Sequence, residues 1–423
     1  MNLTGIIKNL EKTKTDREFR LDVILKNIIG IDKIHPKTKN RQVSIIRAFS
    51  KFAPDPCKGD LIVLSEKETK EFYQDLSKSN IIGQKEIGKV SAEPDDFNFD
   101  GYSEIRLSNS IVSLFISPRR GGSIYKVSTP YASDLIDDLV INGIRGQVET
   151  GIRLAGNGDF KPEKEKFKLL DLNAKASFNG KKRAVRMRAK SAGLKIDLAI
   201  QLTQNSPIIE LDYLISNFDK KGKGKDLAPS LRLSSLAVGE KLAGTILIDS
   251  NGETYRFYCP ESIPPWAWRE DWVSYSGNIH FDNSGFVAIR HSKKRNGLLL
   301  SFESKKTSRL WAMIEALLPN VRIYSKKKQL MKNKTSRFSY KLIPFDNLII
   351  ANGIGLAYVR GHHDLFIFAV GKLHNEISAE TSEGNIKLDM VKVGDNLACA
   401  TVPIETKAII LPDKNLTLEV NNE

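Results

Sequence analysis

Cysteine is scarce. Cys57, Cys259 and Cys399 are the only three in 423 residues, and they lie far apart and are odd in number. This excludes a disulfide framework and a zinc site built on paired cysteines, and leaves thiols that are buried or free. The chain has six histidines, with no spacing that points to a metal, so neither a metal nor an organic cofactor is expected. No run of about 18 apolar residues occurs, so no transmembrane helix and no membrane partner are expected. The amino-terminal stretch MNLTGIIKNLEKTKTDREFR has no apolar core of signal-peptide length, and the expected location is cytoplasmic. No internal repeat of about 20–50 residues stands out, which argues against a solenoid or propeller. Acidic residues are outnumbered, 50 against 65 basic ones, for a net charge of +15. Such a balance favours acidic partners such as nucleic acid or acidic polysaccharide; a lysine-rich surface carries the same charge with no partner at all.

Hydrophobic residues at 41% and charged residues at 27% are ordinary for a globular protein. The length calls for two or three domains. Residues 1–95 read as a small α/β or α+β domain. A short β-run at Leu61–Leu64 precedes Ser65-Glu66-Lys67-Glu68, which has capping-box spacing for a helix reaching about Leu76. The polar segment Lys89–Gly101, with Pro94 and paired Asp95-Asp96, reads as a linker. From Tyr102 onward the pattern is β nearly throughout. Tyr102–Val127 reads as two strands and a turn: Pro118 ends the first run, and Gly121-Gly122 take positive φ without steric cost. Asn179-Gly180 marks a hairpin between two short runs, and Leu194–Leu202 and Pro207–Leu214 are alternating strands. Short strands separated by turn residues predict a mainly β class, a large antiparallel two-sheet sandwich over 96–350 behind the small α/β domain. Residues 351–423 form a β-rich tail that either completes the sandwich or makes a small appended one.

Several stretches carry candidate chemistry. Three of the four tryptophans, Trp266, Trp268 and Trp272, fall in SIPPWAWREDWVSYSGNIH with Arg269, Glu270, Asp271 and Tyr275. Indole faces pack on apolar C–H surfaces of sugar rings, and the charged groups hydrogen-bond hydroxyls; the same rings also serve to plug one end of a sandwich. Arg153, which follows Glu149 in QVETGIRL, and Arg232 on a strand-like run are candidates to pair a carboxylate of an acidic sugar. Arg106 is similar. Alternation in Trp311-Ala-Met-Ile-Glu315 puts Trp311, Met313 and Glu315 on one face of a strand, where a desolvated Glu315 would have the raised pKa of a catalytic acid. Gly361-His362-His363-Asp364 sits between two β-runs, and His363 beside a carboxylate can act as general acid or base. The candidate catalytic residues are thus Glu149, Glu315 and His363.

The segments Ile105-Arg106-Leu107-Ser108-Asn109 and Ile116-Ser117-Pro118-Arg119-Arg120-Gly121-Gly122-Ser123-Ile124 open this region with an apolar strand, a Pro-x-x-Gly-Gly turn and a second strand. In this order they resemble the large β-sandwich of galactose mutarotase-like domains, and within that superfamily the carboxy-terminal sandwich of glycoside hydrolase family 57 glucanotransferases. Gly285–Ile289 and Tyr340–Phe345 resemble later strands of the same sandwich, and the resemblance covers somewhat over half of the chain. It implies a carbohydrate context. It supplies no catalytic pair, because no segment matches the histidine acid and glutamate base of the mutarotases, and nothing before Tyr102 is long enough for a glucanotransferase barrel.

These observations lead to one expectation: a carbohydrate-active or carbohydrate-binding protein that holds a saccharide, neutral or acidic, on the concave face of the sandwich. As an enzyme it would be a hydrolase, lyase or epimerase. The alternative is a nucleic-acid- or assembly-associated protein that makes contact through its basic amino-terminal region.

Overall fold

Alternation sets the layers. In Leu194–Thr203 every second residue is buried and the rest are half-exposed, the pattern of a strand covered on one face. Ile209–Asn217 runs antiparallel beside it, with Ile209 opposite Leu202 and Asn217 opposite Leu194, so the apolar residues of both strands fall on one side. The computed structural model describes residues 90–420 apart from 96–103, 131–135, 138–150, 157–159, 163–164, 173–181, 220–221, 223, 235–243, 251–252, 259–272, 280–284, 292–294, 316–317, 352, 372–375 and 412–415. Residues 1–89 of the expected α/β domain and the Asn179-Gly180 hairpin lie outside the described residues. The chain divides into two compact units. One comprises Met1–Ile87, Pro94–Ile105 and Asp138–Val148, and few of its residues are described. The other comprises Gly88–Glu93, Arg106–Asp137 and Glu149–Glu423.

The described chain is mainly β, with antiparallel sheets. A ten-stranded sheet runs from Ser91–Asp95 through Glu104–Ser108, Ser113–Ser117, Ser123–Ser128, Gly151–Ala155, Ser230–Ser234, Leu318–Ser325 and Thr307–Glu315 to Val273–Ile279, with Ile136–Asp137 beside Ser123–Ser128. The linker reading of 89–101 is corrected at Ser91–Asp95, which is an edge strand of this sheet. Pro94 fits there because an edge strand has one side with no ladder to donate to. A nine-stranded sheet contains Gly244–Ser250, Gly285–His291, Gly297–Phe302, Thr335–Phe345 and the alternating pair described above.

The two sheets share a core. Tyr213 of the nine-stranded sheet stacks edge-on against Tyr340, centroids 6.3 Å apart, and its hydroxyl faces the Leu154 main chain of the ten-stranded sheet. The Tyr340 hydroxyl lies 3.4 Å from Ser325 Oγ, again across the two sheets. Burial pushes the Tyr213 phenol well above its ordinary pKa and that of Tyr340 to about 12. Asn109 joins the layers at one end. Its carbonyl accepts from the Ile111 and Val112 N–H groups at 2.9 and 2.8 Å, and its amide donates to Thr203 and Ser206 carbonyls at 2.7 and 2.8 Å.

The expected turn is present. Pro118–Arg120 is one 3₁₀ turn closed by Gly121 at φ 68 and Gly122 at φ 67. A Cβ on Gly122 would lie 2.7 Å from Leu198 Cδ2 and 3.4 Å from Met187 Cε, so this turn presses directly on the opposite sheet.

The tail makes two further sheets of five and four strands over Asn347–Glu419. They enclose a core of their own, which includes Leu356, Tyr358, Ile367, Ala379, Ile409 and Leu418. This small sandwich covers part of the outer face of the nine-stranded sheet. Phe286, fully buried, packs where Cβ atoms on Gly355 and Gly371 would stand 2.9 and 3.4 Å from its ring. Ser301 Oγ donates to Asn396 Oδ1 at 3.0 Å, and Arg290 Nη1 to the Leu348 carbonyl at 3.1 Å. Gly297–Phe302 is consequently buried at every position.

Candidate functional site

The ten-stranded sheet has two unlike faces. Leu154, Leu231, Leu233, Leu310, Ala312, Val321 and Ile323 are buried and point to the shared core. The residues that alternate with them are polar or aromatic: Arg232, Arg309, Trp311, Arg322 and Tyr324 are half-buried or exposed. Strand periodicity of two puts these on the second face.

Register brings them into rows. Arg232 lies opposite Arg153 on one side and Arg322 on the other. Arg322 lies opposite Trp311, and Trp311 opposite Asn278. Arginine therefore occupies the same register position on three successive strands, followed by tryptophan. One step along, Tyr324 lies opposite Arg309. The Arg322 guanidinium sits over the Trp311 ring at 5.5 Å from its centroid, and that of Arg309 over Tyr324 at 4.5 Å. Both are cation–π contacts. Arg322 Nε is buried and has no hydrogen-bond partner among the described residues.

Farther across the same sheet, Phe115 carries two cations, Arg106 at 5.9 Å and Lys126 at 5.8 Å from its centroid. Arg106 Nε donates to Ser113 Oγ at 3.2 Å. Burial pushes the Arg106 guanidinium below its usual pKa, against the opposing pull of Glu93. The second face is thus a band of aromatic rings paired with cations. It suits a ligand with apolar ring faces and hydrogen-bonding or anionic substituents.

The structure brings Arg153 and Arg232 into one row. Glu315 ends the strand that carries Trp311 and lies opposite Val273, the first residue of the strand that follows the tryptophan-rich segment. Tyr275 falls in the irregular stretch between Val273 and Ser276. Glu149, Trp266, Trp268, Arg269, Glu270, Asp271 and Trp272 lie outside the described residues. His363 is not near this row in the sheet order. With His362 it occupies the exposed tip of a hairpin in the small sandwich, closed by the Gly361 N–H donating to the Asp364 carbonyl at 2.8 Å. Among the described residues no group of three His, Cys, Asp or Glu gathers to hold a metal ion.

Sequence reasoning missed Arg309, Arg322 and Tyr324. The signal was the alternation in Val321-Arg322-Ile323-Tyr324 and Arg309-Leu310-Trp311-Ala312, where each apolar residue is followed or preceded by a cation or ring.

No family model and no curated protein matches the chain. Among solved structures it is similar to a TPR-domain containing protein from Parabacteroides distasonis, at 13% identity and TM-score 0.43, over 59% of this chain and 48% of that one. A galactose mutarotase-like protein from Clostridium acetobutylicum is similar at 11% identity and TM-score 0.41, over 61% of this chain and 99% of that one. A GH36 alpha-galactosidase from Geobacillus stearothermophilus is similar at 12% identity and TM-score 0.36, over 58% of this chain and 40% of that one. The chain thus spans less than half the length of the first and last of these. No residue role is carried over from these similarities.

Proposed function

We propose that this protein is carbohydrate-associated and holds a saccharide on the second face of its ten-stranded sheet. The observation that carries the reading is the pair of cation–π contacts, Arg322 over Trp311 and Arg309 over Tyr324, side by side on neighbouring strands. Rings braced by a neighbouring cation are held in place, their apolar surface suits the C–H face of a pyranose, and groups already ordered lose little entropy on binding. The reading rests on this face rather than on the sugar-related names of similar structures. The tryptophan-rich segment leads directly into Val273–Ile279, the edge strand beside Trp311, and Trp266, Trp268 and Trp272 are assigned as further sugar contacts. A catalytic version of the reading draws on Glu149 and Glu315, the latter on the same strand as Trp311.

The test is a glycan array with a reducing-sugar release assay on the full chain. Trp311→Ala is expected to weaken glycan binding by about tenfold, as loss of an aromatic anchor does. Release that falls on Glu315→Gln while binding persists supports the catalytic version. Binding with no release by the native chain supports a binding protein. If no glycan is bound or cleaved, the proposal fails.

A further inference from the structure

Building on that saccharide reading, we infer that the ligand is an anionic saccharide, one whose sugar rings bear carboxylate or sulfate groups, and that Arg322 is its anchoring donor. Three considerations lead there.

The first is the row itself. Arg153, Arg232 and Arg322 lie directly opposite one another on successive strands, which stand about 4.8 Å apart. The register therefore sets arginine positions side by side across the sheet, and cations gathered in this way suit an anionic ligand. Arg232 is itself engaged, and the inference does not depend on its being available.

The second is Arg322. Its Nε is enclosed and meets no acceptor among the described residues, and no described carboxylate pairs with the guanidinium. A fixed cation with no counter-charge gains most from a charge-assisted bond, and an oxyanion meeting the outer Nη1 and Nη2 groups would supply it.

The third is the pairing of cation and ring. Arg322 sits over Trp311 at 5.5 Å from the ring centroid, and a guanidinium beside a ring keeps the forked donors that take a carboxylate or sulfate in a two-bond contact. Arg309 repeats the arrangement on Tyr324, diagonally across one strand, at roughly the 7–8 Å spacing of diagonal neighbours. A saccharide with an acidic group on successive rings would meet both. The neutral hydroxyls of a plain glucan would leave two fixed cations without a counter-charge.

The experiment is titration calorimetry of the full chain with oligogalacturonate, a heparin oligosaccharide, maltohexaose and single-stranded DNA. Oligogalacturonate tests carboxylate, heparin tests sulfate, and maltohexaose tests a neutral sugar. The expected result is binding of one or both anionic sugars in preference to maltohexaose. Arg322→Ala should then weaken it by about tenfold or more. Arg322→Lys should fail to restore it, because an ammonium cannot form the fork. Arg337→Ala, on the other sheet, should leave it unchanged. Should Arg322→Ala unfold the chain, Arg309→Ala, at an exposed position, carries the same expectation. Preference for maltohexaose overturns the anionic inference while leaving the saccharide reading intact, as does anionic binding indifferent to both arginines. DNA bound as tightly as the sugars, with the same dependence on Arg322, overturns it in favour of a general polyanion site. Failure to bind any sugar overturns both readings.

Discussion

Gly122 and Gly222 form a matched pair. Both hold left-handed backbone, at φ +67 and φ +74, but a Cβ on Gly122 would meet Leu198 Cδ2 at 2.7 Å and Met187 Cε at 3.4 Å, whereas one on Gly222 would meet nothing within 4 Å. Alanine at either position pays the left-handed cost of roughly 1–2 kcal/mol. Alanine at 122 must also displace Leu198 or move the turn. Leu198 and Met187 are buried between strands, 1% and 0% exposed, so neither can swing into solvent, and overpacking of this kind typically adds about 1–3 kcal/mol. Gly222→Ala is therefore expected to cost about 1–2 kcal/mol and Gly122→Ala about 2–5 kcal/mol. With a urea slope of about 3 kcal/mol/M, the difference between the variants separates their midpoints by about 0.3–1 M. Urea titration followed by far-ultraviolet circular dichroism reads this directly. Equal midpoints would show that the Pro118–Gly122 turn does not bear on the opposite sheet, and the close approach of Gly122 to Leu198 would carry no weight in the packing.

Two further outcomes test the packing. Burial opposes ionisation of Asp212, but hydrogen bonds from Arg337 and Ser339 and the charges of Arg337 and Lys341 outweigh it and hold its carboxyl below the usual range. A carboxyl lowered on folding stabilises above its unfolded pKa, near 3.8, and that contribution is lost as pH falls through the folded value. Asp212→Asn should thus be less stable than the native chain at neutral pH and equal to it in strong acid; a urea-midpoint gap that widens on acidification would refute this. Phe286→Ala should cost about 3–5 kcal/mol and loosen the small sandwich from the large one. The expected sign is a split calorimetric transition, and a single sharp transition at the native temperature would count against Phe286 as the joint.

Much of the architecture was legible because half-buried strands advertise themselves. Leu194–Thr203 alternates without a break, and the Pro118 stop and paired glycines before Ser123 leave few readings of the chain there. Ser91–Asp95 was not legible: proline and paired aspartates look like a linker, and only an edge position makes them compatible with a strand. The tail showed its strands and not the sheets they join, because that choice depends on which buried faces meet, Ile367 and Ile409 among them. The site was legible in pieces. Arg153 and Arg232 stood out singly, yet their row with Arg322 depends on register between strands distant in sequence, which no local pattern encodes. Trp311 was read for the carboxylate that shares its strand, while the structure joins it to the arginine across the ladder.

The pairing of Ile209–Asn217 with Thr335–Phe345 has a consequence for how the protein is made. Asp212 and Ser339 are bonded partners 127 residues apart. At roughly 5–20 residues per second, a ribosome needs about 6–25 s to deliver the second strand after the first. For that interval the emerging hairpin has one open edge, with main-chain groups ready to accept any passing strand. Nascent chains crowded on one message would be most at risk of joining one another there, and a chaperone that shields this edge during translation would raise the yield of folded protein more than one added afterwards.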